Sequence, residues 1–281
     1  MWKSQSPTKL IFVLSCLCLC GCFSIKPTYT KEKIAESIIQ LCKEEYNVEP
    51  KVELLGETVW IYLGLPRLIT KDAQFDREVL ESMNKVMMAS SRVLLSMKPR
   101  PQFMAVVASD IQEFGIDYTI ITWIPDIVKF QLELISRDEF SRRNIIRIKE
   151  NPNALNDTQG LHIEKKEIHM PDFLAEQIAQ RIQTKFSLDP DFKDYFQVEK
   201  IEAVFEKETF KIRADIKTKE SPQPQPKDIL KEMLKIAAYV IKEYEFKDFL
   251  LLEVENAGTG EKLLLSRSRI KELLKQPAFY K

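Results

Sequence analysis

Glycine is scarce in this chain, at seven residues in 281. None of the seven forms the spacings with which backbone amides approach a phosphate, Gly-x-Gly-x-x-Gly or Gly-x-x-x-x-Gly-Lys, and this weighs against a nucleotide-binding enzyme. Histidine is scarcer still, limited to His162 and His169. Two imidazoles leave little from which to build a His-based triad, and neither a Gly-x-Ser-x-Gly elbow nor a His-Glu-x-x-His helix occurs. Net charge is also lacking: 42 basic residues face 42 acidic ones. No long-range field therefore steers the whole chain to nucleic acid, which is not expected as a partner.

Cysteine is unevenly spread. Cys16, Cys18, Cys20 and Cys22 lie in the first 22 residues, and Cys42 is the only one beyond them. A lone thiol cannot close an intramolecular disulfide, so stability has to come from packing. The content of apolar and charged residues, 44% and 30%, is that of an ordinary folded protein rather than a disordered one.

What is present starts at the N terminus. Lys3 and Lys9 precede a largely apolar stretch from Leu10 to Cys20, the layout of a secretory signal and too short to span a bilayer, which takes about 20 residues. Its ending, Leu19-Cys20-Gly21-Cys22, resembles the lipobox of bacterial lipoproteins. That resemblance covers only the first two dozen residues and does not extend to the rest of the chain. It implies cleavage before Cys22, fatty acylation (palmitate or a similar chain) of Cys22, and a mature protein held on a membrane. More than one acyl chain anchors stably where a single one binds only marginally. Because Phe23 rather than an aspartate follows the cysteine, the resemblance implies delivery to the outer membrane, on the periplasmic side of the cell envelope. Residues 1–21 are then the signal peptide and 22–30 a lipidated tether. Eight extended residues reach at most about 28 Å, so the folded part sits near the membrane.

The remainder repeats itself. Ile34, Ala35, Glu36, Ile38, Gln40, Cys42 and Tyr46 match Leu174, Ala175, Glu176, Ile178, Gln180, Ile182 and Phe186 at an offset of 140, and Val48-Glu49-Pro50 matches Leu188-Asp189-Pro190 as the exit, because the residue before a proline leaves the helical region. Each first helix is followed by a pair of apolar stretches, 52–55 with 58–65 and 201–205 with 209–217. A longer helix comes next, where Val79, Leu80, Met83, Val86 and Met87 match Ile229, Leu230, Met233, Ile236 and Ala237 at an offset of 150. A second strand pair and a short helix close each unit. This predicts an α+β fold of two tandem α-β-β-α-β-β repeats, 31–134 and 171–281, joined by a linker at 135–170. With no long crossover inside a strand pair, each unit is expected to be an antiparallel sheet with helices packed on one face. Ser136 to Glu139 has capping-box spacing and should start a short helix within the linker.

Few residues suggest chemistry. Cys42 lies in the apolar stripe of its helix and reads as core. His162, Glu164, Glu167 and His169 are the one cluster resembling metal ligands, but their spacing matches no zinc signature and Lys165 and Lys166 divide them; they read as solvated linker, with no metal and no cofactor expected. Arg137, Arg142, Arg143 and Arg147 form a basic cluster diluted by acids. Comparison of the repeats is more informative. In the second unit Phe210, Ile212, Ala214 and Ile216 alternate with Lys211, Arg213, Asp215 and Lys217, so one sheet face is wet. The corresponding positions of the first unit hold Trp60, Tyr62 and Gly64, with Val107 where the second unit has acids. Either this second face is packed within the chain, or Trp60, Tyr62 and Val107 form a partner surface. These features predict a membrane-anchored envelope lipoprotein that works as a non-enzymatic binding or assembly module, its partners the membrane and an envelope protein. A lipid-anchored hydrolase of an envelope polymer is the alternative, with no catalytic residue nominated.

Overall fold

The computed structural model describes residues 29–70, 72, 74–219 and 228–275; the lipobox with Cys22 lies outside them. The first unit runs α1 (Ile34–Tyr46), β1 (Lys51–Leu55), β2 (Thr58–Leu65), α2 (Arg77–Leu95), β3 (Phe103–Asp110), β4 (Ile116–Trp123) and α3 (Ile124–Gln131). Then come α4 (Arg137–Arg143) and β5 (Ile145–Glu150). The second unit runs α5 (Met170–Leu188), α6 (Pro190–Lys193), β6 (Phe196–Glu206), β7 (Thr209–Thr218), α7 (Ile229–Glu243), β8 (Leu251–Asn256), β9 (Glu261–Ser266) and α8 (Arg267–Leu273). The fold is α+β, with two similar sheet units carrying helices. Capping side chains set several helix starts: Asp76, Ser136, Asp228 and Ser266 each accept a first-turn amide, which satisfies a donor that the helix itself cannot.

Two details differ from the sequence reading. The strand pairs are antiparallel hairpins, but the hairpins of each unit join through a parallel central pair, β2 with β3 and β7 with β8. The long helix is the crossover that a parallel pair requires. The linker, moreover, supplies a strand: β5 pairs antiparallel with β4 and makes the first sheet five-stranded, in the order β1-β2-β3-β4-β5 against β6-β7-β8-β9. The repeat offset is 151 between Thr58 and Thr209 but 148 between their parallel partners Phe103 and Leu251, and the long helices leading to those partners correspond at 148, not at the 150 read from the sequence.

The units stack in four layers. Val59, Ile61 and Leu63 of β2 and Met104, Val106 and Ala108 of β3 pack with Ile34, Ile38 and Cys42 of α1 and Met83, Val86 and Val93 of α2 in one core. The opposite face of that sheet, with Trp60, Tyr62, Phe103, Ala105 and Val107, joins a second core shared with α5, α7 and the dry face of β7 and β8. Helix α5 is suited to this because it contacts both units. Leu174, Ile178, Ile182 and Phe186 repeat the apolar stripe of α1, while Phe173, Gln177 and Gln180, at i, i+4 and i+7, present one ring and two amides to the first unit. Phe173 meets Phe103 with ring centroids 5.1 Å apart. Gln177 donates to the Arg143 carbonyl at 2.9 Å, and Gln180 pairs with both backbone groups of Ile146. Gln180 thus occupies part of the outer edge of β5, which would otherwise expose unpaired backbone groups.

Candidate functional site

Trp60, Tyr62 and Val107 do not form an open surface: they are 5%, 2% and 2% exposed. The linker covers the part of that face that α5 leaves bare. The Trp60 indole donates to the Lys166 carbonyl at 2.9 Å, the Tyr62 hydroxyl donates to the Asp157 carbonyl, and the Ile168 amide donates to Thr58 Oγ1 at 2.8 Å. Gly160, at φ +70°, lies flat against the Tyr62 ring, where an added Cβ would come within 2.6 Å of Cγ. Burial pushes the Tyr62 hydroxyl pKa up to about 12. Packing within the chain, not an external partner, explains why these positions are aromatic.

The same linker brings together residues that the sequence keeps far apart. His162, read as solvated, is 3% exposed in its side chain, and each ring nitrogen faces a carboxylate: Nδ1 lies 2.6 Å from Asp157 Oδ2 and Nε2 3.0 Å from Asp117 Oδ1. Ser109 Oγ is 3.4 Å from Nε2. Serine, histidine and aspartate in this order resemble an acyl-transfer relay, but two observations remove that reading. The Ser109 hydroxyl donates to Asp117 rather than to the imidazole, and Ser109 is fully buried, whereas a nucleophile must reach its substrate. The cluster is a clamp that fixes the linker to the sheet. Among the described residues no group of three or more His, Cys, Asp or Glu side chains is arranged to hold a metal; Glu167 instead accepts the Glu57 amide at 3.0 Å.

The clamp carries a pH dependence. Burial of Asp157 works to raise its pKa, but hydrogen bonds from the His162 ring and from the amides of His162, Gln159 and Gly160 outweigh it and hold the carboxyl at about 2, below its ordinary 3.8. A carboxyl depressed in the fold contributes stability that is present above its unfolded pKa and lost as the pH falls through its folded one. Urea denaturation of the wild type should therefore show a stability loss between about pH 4 and pH 2. Asp157→Asn should lack that part of the loss; an identical acid limb in both proteins would exclude the clamp as its source.

Cys42 is fully buried in the first core, and burial, aided by Glu45, pushes its thiol up to about 11, which leaves no thiolate for chemistry. Three of the four arginines of the basic cluster are paired with acids. Arg142 and Arg143 pair with Glu139, Arg143 also with Asp126, and Arg147 with Glu176 of α5.

A groove of about 1360 Å³ lies open where α4, α5 and α7 meet. Its apolar lining includes Leu134 and Leu188, each 69% exposed, and Ile146 and Tyr239. Its acids are paired with bases: Glu139 with Arg142 and Arg143, Asp189 with Lys185, Glu232 with Lys235 and Glu243 with Arg181. Sequence reasoning missed this groove because its walls come from the linker and from two helices that meet only in the folded chain. Among the described residues no helix is long and apolar enough to cross a membrane. Neither a known family nor a curated protein matches the chain.

Proposed function

We propose that this chain is a lipid-anchored lipoprotein of the bacterial envelope, delivered to the outer membrane, and that it works there as a binding or assembly module rather than as a catalyst. The observation that carries the reading is the Leu19-Cys20-Gly21-Cys22 ending of the signal. In support of a non-catalytic role, the triad-like arrangement of Ser109, His162 and Asp117 is sealed and the groove acids are paired. The groove between α4, α5 and α7 is the surface offered to an envelope partner, its exposed leucines and Tyr239 flanked by charge, as in the apolar centre and polar rim of protein interfaces. A hydrolase of envelope polymers would need two carboxylates free to act on a glycosidic bond, and no such pair lines the groove.

The anchor is tested by Cys22→Ala. The variant should accumulate as an uncleaved precursor or as soluble protein and lose acyl labelling, since the acyl chains supply the membrane affinity. A variant processed and membrane-held like the wild type would overturn the lipid reading, and inner-membrane retention of the wild type would overturn the sorting. For the module, the wild-type protein should capture an envelope protein from solubilised membranes, and Leu188→Asp with Tyr239→Asp should release it.

A further inference from the structure

The two units differ at one corner where their backbones agree closely. Seven residues connect α2 to β3 and seven connect α7 to β8. In the first unit the amides of Gln102 and Phe103 donate to the Glu57 carbonyl, and in the second those of Leu250 and Leu251 donate to that of Glu208. The amide opening the last helix likewise donates to the Gln102 carbonyl from Ile124 and to the Leu250 carbonyl from Arg267, at 2.9 Å in both. Leu94, Met97 and Ile124 therefore correspond to Lys242, Glu245 and Arg267.

In the first unit these three side chains are apolar and buried, and they fill the corner between the long helix and the last one. In the second unit Lys242 and Glu245 are exposed and Arg267 is half-buried. The corner is left as a cavity of about 340 Å³ with walls of Ile241, Phe246, Phe249, Ile270 and Leu274. Lys242, Lys247, Arg267 and Lys271 stand around it against a single acid, Glu245. The Arg267 guanidinium is fixed there by a hydrogen bond to the Lys247 carbonyl. An apolar cavity with a few convergent polar groups is the usual form of a small-molecule site, and this volume is at the small end of the range of about 300–1,000 Å³. It suits one chain rather than the two of a membrane phospholipid.

We infer that this cavity binds a single-chain anionic amphiphile, a long-chain carboxylate, with its chain between Phe246, Phe249 and Ile270 and its carboxylate at Arg267 and Lys271. The inference does not depend on acylation at Cys22. Calorimetric titration of dodecanoate, below its micelle concentration, into the chain from Phe23 to Lys281 should show one site per chain. Dodecanol, with the same chain and no charge, should bind at least about tenfold more weakly, as should dodecanoate to the Lys247→Glu, Lys271→Glu double variant. Both lysines are exposed, so the double variant should keep the wild-type melting curve. Equal affinity for dodecanol and dodecanoate would overturn the anionic assignment, and undiminished binding by the double variant would overturn the location. Absence of binding in the full chain overturns the proposal too; if removal of residues 276–281 then creates binding, the occupant is the chain's own C terminus.

Discussion

Trp60→Lys should lower the unfolding free energy by at least about 3–5 kcal/mol, the loss expected for deleting a buried aromatic side chain alone. The ammonium adds to this loss because it would enter a space walled by β2, β3 and the linker, where an unpaired charge is not tolerated. It would also leave the Lys166 carbonyl without its indole donor. Trp60→Phe should cost less, since it keeps most of the apolar volume and gives up mainly the hydrogen bond, worth about 1 kcal/mol. Urea denaturation of the two variants provides the measurement. A Trp60→Lys protein as stable as the wild type would mean that the linker does not cover this face, and would restore Trp60 as an exposed anchor for a partner.

Arg143→Ala should be similarly damaging. Arg143 is 8% exposed and Asp126 only 1%. The guanidinium donates to Asp126 Oδ1 at 2.9 Å and to Glu139 Oε1 at 2.7 Å and lies over the Tyr244 ring, 5.5 Å from its centroid. Burial raises the pKa of Asp126, and Arg143 is the foremost group opposing that shift. Removing one partner of a buried pair leaves the other charge uncompensated, which typically costs about 3–5 kcal/mol, whereas replacing both with apolar groups of similar volume is often close to neutral. Arg143→Met combined with Asp126→Leu should therefore recover most of what Arg143→Ala loses. If the single and double variants are equally destabilised, the pair contributes through shape rather than charge. The effect extends across the layers, because Gln177 and Tyr244 of the second unit both donate to the Arg143 carbonyl.

Much of the architecture was legible because it is local and written twice. The stripe Ile34, Ile38, Cys42 recurs as Leu174, Ile178, Ile182, and period-two alternation in 209–217 gave away a half-wet strand. The asymmetry between Trp60 and Lys211 was also legible, but not what lies against it. That required noticing that Phe173 and Gln177 stand where Lys33 and Ser37 stand in the first repeat, two positions of α5 that differ from their counterparts while Gln180 and Gln40 agree. Strand β5 was invisible because only Ile145 of its six residues is buried; an edge strand exposed along its length has no alternation to read. The parallel central pairs were missed because pairing across a helix is a long-range event. The burial of His162 was missed because Asp117, its partner 45 residues away, arrives only through the sheet.

The helix layer of the second unit rests on the back of the first unit's sheet, a contact between unlike surfaces that by itself has no natural end. Repeated, it would build a growing column of alternating sheets and helices, as in solenoid arrays whose outer modules must carry polar caps. This chain has such caps at both ends. The back of the second sheet bears Lys211, Arg213 and Lys217, cross-linked to Glu206, Glu255 and Glu199, and at the start of α1 Lys33 and Ser37 stand in place of Phe173 and Gln177. Grafting Trp60 and Tyr62 onto positions 211 and 213, together with Phe173 and Gln177 onto positions 33 and 37, would remove both caps at once and turn a closed two-module protein into the subunit of a fibre.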